Sequence, residues 1–313
     1  MPACFFEHSL RRRKTRAESG EDKLEHRSMK LHSLNTGYFK LDGGAMFGVV
    51  PKSLWSRTNP ADERNMCRWA MRSLLIEQGD RLILVDTGIG DKQSEKFFSY
   101  YFLHGEDGLE KNLNALGFSI PDITDVFLTH LHFDHVGGAV KRNTNGLLVP
   151  TFPNAHYWSN ERHWNWAVQP NAREKASFLK ENILPLQESG QLKFIEVDEG
   201  ELQVRTQLGF DVLLVHGHTE SQMLPLIENN GKQILFSADL LPSAGHIPLP
   251  YVMGYDTRPL FTLDEKKRIL NEAADKDILL FFEHDPDNEC ARLEPSDKGP
   301  VLSSVHALKD VFE

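Results

Sequence analysis

Sheets in the middle with helices outside, an α/β fold, are what this chain of 313 residues predicts, and three observations carry the prediction. Short apolar runs bounded by polar or glycine residues recur along it and read as buried strands. Segments with helical spacing and helix start or stop signals lie among them. Apolar residues make up 40% of the composition, enough for a sizeable core, and no repeat of solenoid period is present. In chain order, residues 72–77 and 81–85 form two strands joined as a hairpin through Gln78, Gly79 and Asp80. Leu109, Leu113 and Leu116 recur at helical spacing before Gly117, which predicts a short helix over 108–116. The apolar runs 126–129, 212–215, 234–237 and 278–282 read as buried strands. Thr262 and Glu265 have the spacing of a capping box, so a helix opens there and continues to about Lys276. These elements are expected to form a single domain over residues 29–313.

Composition excludes several classes of function. The formal charge is −10, but residues 1–30 carry eight Lys and Arg against five Asp and Glu, so residues 31–313 stand at −13. An acidic body without a basic stripe is a poor partner for nucleic acid, and a small neutral substrate is the better expectation. No apolar run approaches the roughly 18 residues that span a bilayer, so no membrane role is expected. Cys4, Cys67 and Cys290 include no CxxC pair. They predict neither a disulfide framework nor a thiolate metal site, and they suit reduced thiols in the cytoplasm. Residues 1–28 hold a basic run at 11–16 without the apolar stretch of a secretory signal. They are expected to be disordered or a non-native extension ahead of a functional start at Met29, the alternative being a basic arm for an anionic partner.

The chemistry gathers where strands end. The run 126–129 leads into His130-Leu131-His132-Phe133-Asp134-His135 and then Gly137-Gly138. Residues two apart on an extended segment face the same way, so His130 and His132 can reach one metal, and the turn frees Asp134 and His135 for a second. The run 212–215 leads into His216-Gly217-His218-Thr219, 234–237 into Ala238-Asp239, and 278–282 into Glu283-His284-Asp285. Imidazoles and carboxylates are thereby lined along one edge of the sheets, a constellation suited to metal-assisted chemistry.

On HxHxDH at 130–135, the histidine of Gly217-His218-Thr219, the strand-end Asp239 and the final His284, the chain resembles the metallo-β-lactamase superfamily. The resemblance implies a four-layer αββα sandwich with a metal site at one edge. By that pattern His130, His132 and His218 hold one ion, Asp134, His135 and His284 the other, and Asp239 bridges them; His216 is the competing third ligand. Val85-Asp86-Thr87-Gly88 resembles a segment whose aspartate supports the site from behind the ligands. The ions are expected to be divalent transition metals, zinc first, with Mn, Fe or Co also compatible. The implied activity is hydrolysis by a metal-bridging hydroxide attacking an ester carbonyl, with Asp134 as proton shuttle. The His132 position argues against the oxygen-reducing branch, which resembles HxExD there. Asp239 and the missing signal argue against an antibiotic-destroying lactamase.

A finer resemblance lies in residues 42–55, Thr129 to His135 and Phe152-Pro153-Asn154-Ala155. It is to the YtnP-like branch of quorum-quenching lactonases, and it implies N-acyl-homoserine lactones as substrates. Acyl-homoserine lactonases place a tyrosine three residues after the bridging aspartate. Here that position is Pro242, leaving His246, Tyr251 or Tyr255 to serve. Met46 and Phe47, in a glycine-rich loop, and Trp158 and Trp164, in an aromatic segment, are further candidates for lining an acyl pocket. His156 and His163 are expected to be polar neighbours of those rings. The competing readings are a phosphoester or organophosphate hydrolase, a glyoxalase II-type thioesterase and a non-enzymatic metal-bound sensor. Exposed aromatic residues of the cap would suit a homodimer.

Overall fold

The structure, a computed structural model, describes residues 29–312, and the expectations for residues 1–28, Cys4 included, lie outside the described residues. Among the described residues fifteen strands form in this order: β1 (Lys30–Asp42), β2 (Met66–Gln78), β3 (Arg81–Val85), β4 (Asp125–Phe127), β5 (Val140–Arg142), β6 (Leu148–Pro150), β7 (His156–Asn160), β8 (Leu192–Ile195), β9 (Gln203–Arg205), β10 (Asp211–Val215), β11 (Gln222–Asn229), β12 (Lys232–Phe236), β13 (Leu279–Phe281), β14 (Cys290–Glu294) and β15 (Val301–His306). One sheet runs β1-β2-β3-β4-β7-β8 and the other β15-β14-β13-β12-β11-β10-β9, with β5 and β6 as a separate pair. Strands β3, β4, β7 and β8 pair in parallel, as do β12 and β13.

Alternation along the first sheet explains the layers. Leu74, Ile76, Ile83, Val85 and Phe127 point to one core, shared with β10 to β13 of the second sheet. Their neighbours Leu75, Leu82, Leu84 and Val126 point to another, filled by Leu113, Trp164, Ile183 and Leu186 from the helices Leu109–Ala115, Glu161–Val168 and Lys180–Glu188. The helix Pro259–Asp275 adds Ile269, Leu270 and Ala273 against the second sheet. The order helix, sheet, sheet, helix is the αββα sandwich that the resemblance implied. Val212 to Val215 are all buried, which is why that strand reads as an unbroken apolar run. Among the described residues no helix is long and apolar enough to cross a membrane.

Two expectations need correction. The capping box does not open its helix: Pro259 does, at the first turn, where its missing N–H costs nothing and its fixed φ suits the helix. Glu265 instead accepts the backbone N–H of His216 at 2.6 Å and of Gly217 at 3.0 Å, holding the loop that carries His218. The glycine-rich segment expected as a loop is in part helical. Asp42 caps a short helix, Gly43–Phe47, by accepting the N–H of Ala45, and Phe47 stacks between Trp55 and His246 at centroid separations of 5.2 and 4.3 Å.

Candidate metal centre

Each strand end is turned toward one point by local backbone chemistry. After β3, Asp86 sits at φ +55° in the left-handed region, and after β12 Ala238 at φ +39° turns the chain so that Asp239 faces inward. Gly217 is required by close approach, because a Cβ there would lie 2.2 Å from Thr262 Oγ1. Between the sheets, Ala70 donates its N–H to the His284 carbonyl at 3.0 Å and Arg72 to the Glu283 carbonyl at 2.9 Å, fixing the end of β13 against β2.

The result is two groups of donors that share one carboxylate. His130, His132, His218 and Asp239 each offer an atom within 4.8 Å of the others, and so do Asp134, His135 and His284. Asp239 Oδ2 lies 3.1 Å from His218 Nε2 and 4.0 Å from His130 Nε2. Its Oδ1 lies 3.0 Å from His284 Nε2 and 3.5 Å from His135 Nε2, with no hydrogen-bond partner of its own among the described residues. Imidazole nitrogens face one another at 3.1 Å (His130 Nε2 to His132 Nδ1), 3.0 Å (His132 Nδ1 to His218 Nε2) and 3.2 Å (His135 Nε2 to His284 Nε2). Lone pairs crowded so closely repel unless a cation lies among them. The donor set, imidazole and carboxylate, fits a divalent transition metal in each half.

The far nitrogen is hydrogen-bonded in His130, His135, His218 and His284, which selects the tautomer that aims a lone pair inward, whereas that of His132 has a carboxylate near it but no hydrogen bond. His218 Nδ1 lies 2.9 Å from Asp256 Oδ1, and His284 Nδ1 2.8 Å from the Ala70 carbonyl. His130 Nδ1 donates to Thr129 Oγ1 at 3.1 Å, and that hydroxyl donates to Asp86 Oδ2 at 2.6 Å. His135 Nδ1 reaches Asp86 Oδ2 directly at 3.1 Å, so Asp86 supports both halves. His132 Nε2 lies 3.7 Å from Glu174 Oε1, a carboxylate already held by Thr219, Trp166 and Asn171.

Burial and charge compete within the cluster. For His130 and His132 burial prevails and holds the rings below the usual histidine range. At His284 burial is outweighed by Asp239, and the ring is pushed up to about 9. His218 is raised against burial by Asp239 and Asp256, and His135 well above its usual range, against burial, by Glu283, Asp239 and Asp134. Burial pushes the Glu283 carboxyl up to about 8, against the pull of His135. Asp239 is held well below the carboxylate range because the facing histidines overcome its own burial. Without metal, the shifts favour protonated rings at His135 and His284 and also at His218 in the first half. Metal uptake must displace those protons.

A cavity of about 360 Å³ opens above these residues. His132, Asp134, His218, Asp239 and His284 form part of its wall, with Leu41, Met46, Phe133, Met253, Tyr101 and Tyr255 as the apolar and aromatic surround. Of the pocket candidates read from the sequence, Met46 lines it. Phe47, Trp158, Trp164, His246 and Tyr251 do not. Trp158 and Trp164 are taken up by the two main cores, and Trp158 donates its Nε1–H to Asp125 at 2.8 Å. His246 is buried between Ser243 and the Met46 carbonyl, and Tyr251 packs edge-on against Phe47. His163 serves the metal loop itself: its Nε2 accepts the Leu131 N–H at 2.9 Å while Nδ1 donates to the Glu220 carbonyl. His216 turns away from the cluster toward Glu220, and its Nδ1 also accepts the Ser221 N–H. Glu174, Asp256 and Glu283 were not singled out in the sequence. Each is a lone carboxylate there, and only Glu283, beside His284, has a neighbour that could have drawn attention.

Comparison with known proteins agrees with this geometry. The chain belongs to the metallo-beta-lactamase superfamily, whose family model matches residues 72–287. An N-acyl homoserine lactonase of Bacillus cereus is 25% identical over 250 residues, covering 76% of this chain and 88% of that protein. The crystal structure of a probable metal-dependent hydrolase from Staphylococcus aureus superposes with a TM-score of 0.79 at 29% identity, over 89% of this chain and 96% of that one. AidC, a dizinc quorum-quenching lactonase in complex with a product, shares the fold with a TM-score of 0.70 at 23% identity, over 90% and 95% of the two chains. The protein is thus a metallo-hydrolase of this superfamily with distant lactonase relatives.

Proposed function

We propose that this protein is a dinuclear, zinc-dependent lactonase of the cytoplasm that opens the ring of N-acyl-homoserine lactones. The observation that carries the reading is Asp239, whose two oxygens face two separate histidine groups at the floor of a largely apolar cavity. Two divalent ions bound there supply hydroxide near neutral pH and polarise the carbonyl it attacks. The remaining roles belong to the chain. Leu41, Met46, Phe133 and Met253 offer an acyl chain a surface out of water, where each CH2 of that chain taken from solvent gains about 0.8 kcal/mol. Asp134 reaches the cavity with Oδ2 3.8 Å from His284 Nε2 and 3.9 Å from His135 Nε2, where it can pass a proton to the departing ring oxygen. Tyr255 is the one of the three substitutes for the missing tyrosine that faces the cavity. Tyr255 is 40% exposed, and its phenol is held protonated by the desolvation it does undergo at the cavity and by Asp134, so it can donate to a developing oxyanion.

A phosphoester substrate would call for Lys or Arg converging on the ions. The cavity wall holds Arg173 as its basic side chain among the described residues, and its guanidinium is engaged by the carbonyls of Gly254 and Asp256. The test is a panel of acyl-homoserine lactones, simple lactones, aryl phosphoesters and thioesters at neutral pH with metal supplied. Highest kcat/KM on acyl-homoserine lactones is expected, and preference for aryl phosphates or thioesters would reject the substrate while leaving the metal centre in place.

A further inference from the structure

His135 is flanked by a second carboxylate that the metal pattern does not require. Glu283 is fully buried, and its Oε2 lies 3.0 Å from His135 Nδ1, out of line for a hydrogen bond. Neither of its oxygens has a hydrogen-bond partner among the described residues, whereas Asp86, on the same ring nitrogen, also takes the N–H and hydroxyl of Thr129 at 2.8 and 2.6 Å. A buried carboxylate with no donor is costly, and a native structure that keeps one calls for a reason. The reason is not flexibility, because the Glu283 backbone is fixed by Arg72 from β2. Asp86 has its charge spread over three donors; Glu283 has only the imidazole to face.

We infer that Glu283 is a positioning and metal-tuning residue: with the ions bound, whose positive charge favours the ionised carboxylate that burial alone disfavours, it faces His135 so that Nε2 on the far side of the ring becomes a stronger ligand for the ion held with Asp134, His284 and Asp239. A negative group on the remote nitrogen raises the basicity of a ligating imidazole, and loss of such a partner typically weakens metal affinity about 10–100-fold. The first half has one comparable group, Asp256, whose Oδ1 lies 2.9 Å from His218 Nδ1, but there the carboxylate is the ring's single hydrogen-bonded support rather than a second carboxylate added to one already present. Its other two rings face Glu174, a carboxylate that Thr219, Trp166 and Asn171 already occupy, and the neutral Thr129 hydroxyl. Among these rings His135 is the one that faces two carboxylates, Asp86 and Glu283, so Glu283 acts on the ion of the second half.

This inference rests on the two-metal reading, and one titration separates their failures. Metal-free wild type, Glu283→Gln and Glu283→Asp are each titrated with cobalt(II) and followed by visible absorption, with zinc competition against a chelator giving the affinities. Circular dichroism and thermal melting of the metal-free proteins report folding. Wild type is expected to take up two ions. E283Q, equal in shape and neutral, is expected to bind one ion as before and the other at least about 10-fold more weakly, with metal-free stability no lower. E283D restores the charge and is expected to recover most of the lost affinity. Wild type that binds no metal would overturn the underlying reading. Two ions held by E283Q with unchanged affinities, equal weakening of both, or E283D no better than E283Q would overturn the role of Glu283.

Discussion

The two halves of the metal centre are built from the same residue types by different means. His130, His132 and His218 come from two loops, and each ring has its own separate support, in Thr129, Glu174 and Asp256. In the other half Asp134 and His135 share a single turn, His284 is supported by a backbone carbonyl, and two carboxylates crowd the one nitrogen of His135. In the first half burial dominates at His130 and His132, while His218 is raised by Asp239 and Asp256. In the second, carboxylates dominate at both His135 and His284 and favour their protonated forms. Identical ligand chemistry is thus steered by groups one layer further out, and a list of ligands alone would miss the difference.

Removing one ligand from each half challenges that contrast most severely. His218→Ala and His284→Ala should each lower kcat/KM by at least about 100-fold, the order lost when an electrostatic group is taken from a reacting centre. Metal analysis should show one ion retained in each case; if both variants lost both ions, the halves would not be separate sites. Asp256→Asn is the next smaller effect: it leaves His218 in place but weakens its support, and about 10–100-fold loss of metal affinity is expected in chelator competition. Tyr255→Phe probes the centre from the substrate side. Turnover of an acyl-homoserine lactone should fall by about 10-fold with KM and metal content little changed, since only a transition-state contact is removed.

The smallest effect lies behind the cavity wall. Lys266 is fully buried, donates to the carbonyls of His246 and Tyr251 at 2.7 Å each, and is pulled down from 10.5 to about 7 chiefly by burial. The unfolded chain therefore binds the proton more tightly, and this residue makes the protein more stable as pH rises from about 7 toward 10.5. Chemical denaturation across that interval should show this slope in wild type and its loss in Lys266→Met, whatever the absolute stabilities; equal slopes would contradict the shift.

How much of this was legible in the sequence depended on how local the signal was. HxHxDH, Asp239 and His284 each follow an apolar strand, so period-two alternation and a polar run at its end placed them together. Asp256 lies 38 residues from His218, and no pattern in the chain links a lone aspartate to a distant ring. Strand β1 went unread because its pairing with β2 slips between Asn35 and Tyr38, which breaks the alternation that would have marked it. Trp158 and Trp164 misled for the opposite reason. Aromatic density suggested a pocket, but one sits on a parallel strand buried on both faces and the other on a helix face turned to the sheet, where large rings serve the core. Glu265 shows the same limit: the capping-box spacing is genuine, but Pro259 starts the helix earlier and leaves the glutamate free to hold the His218 loop.

The two-metal centre is tested most directly by the metal content of purified wild type beside Asp239→Asn, from elemental analysis together with turnover on an acyl-homoserine lactone. Up to two transition-metal ions per chain are expected in wild type, with at least one lost and turnover suppressed in D239N, because that carboxylate faces both histidine groups. A stable wild type without metal, or D239N with unchanged metal content and rate, would contradict a centre bridged by Asp239.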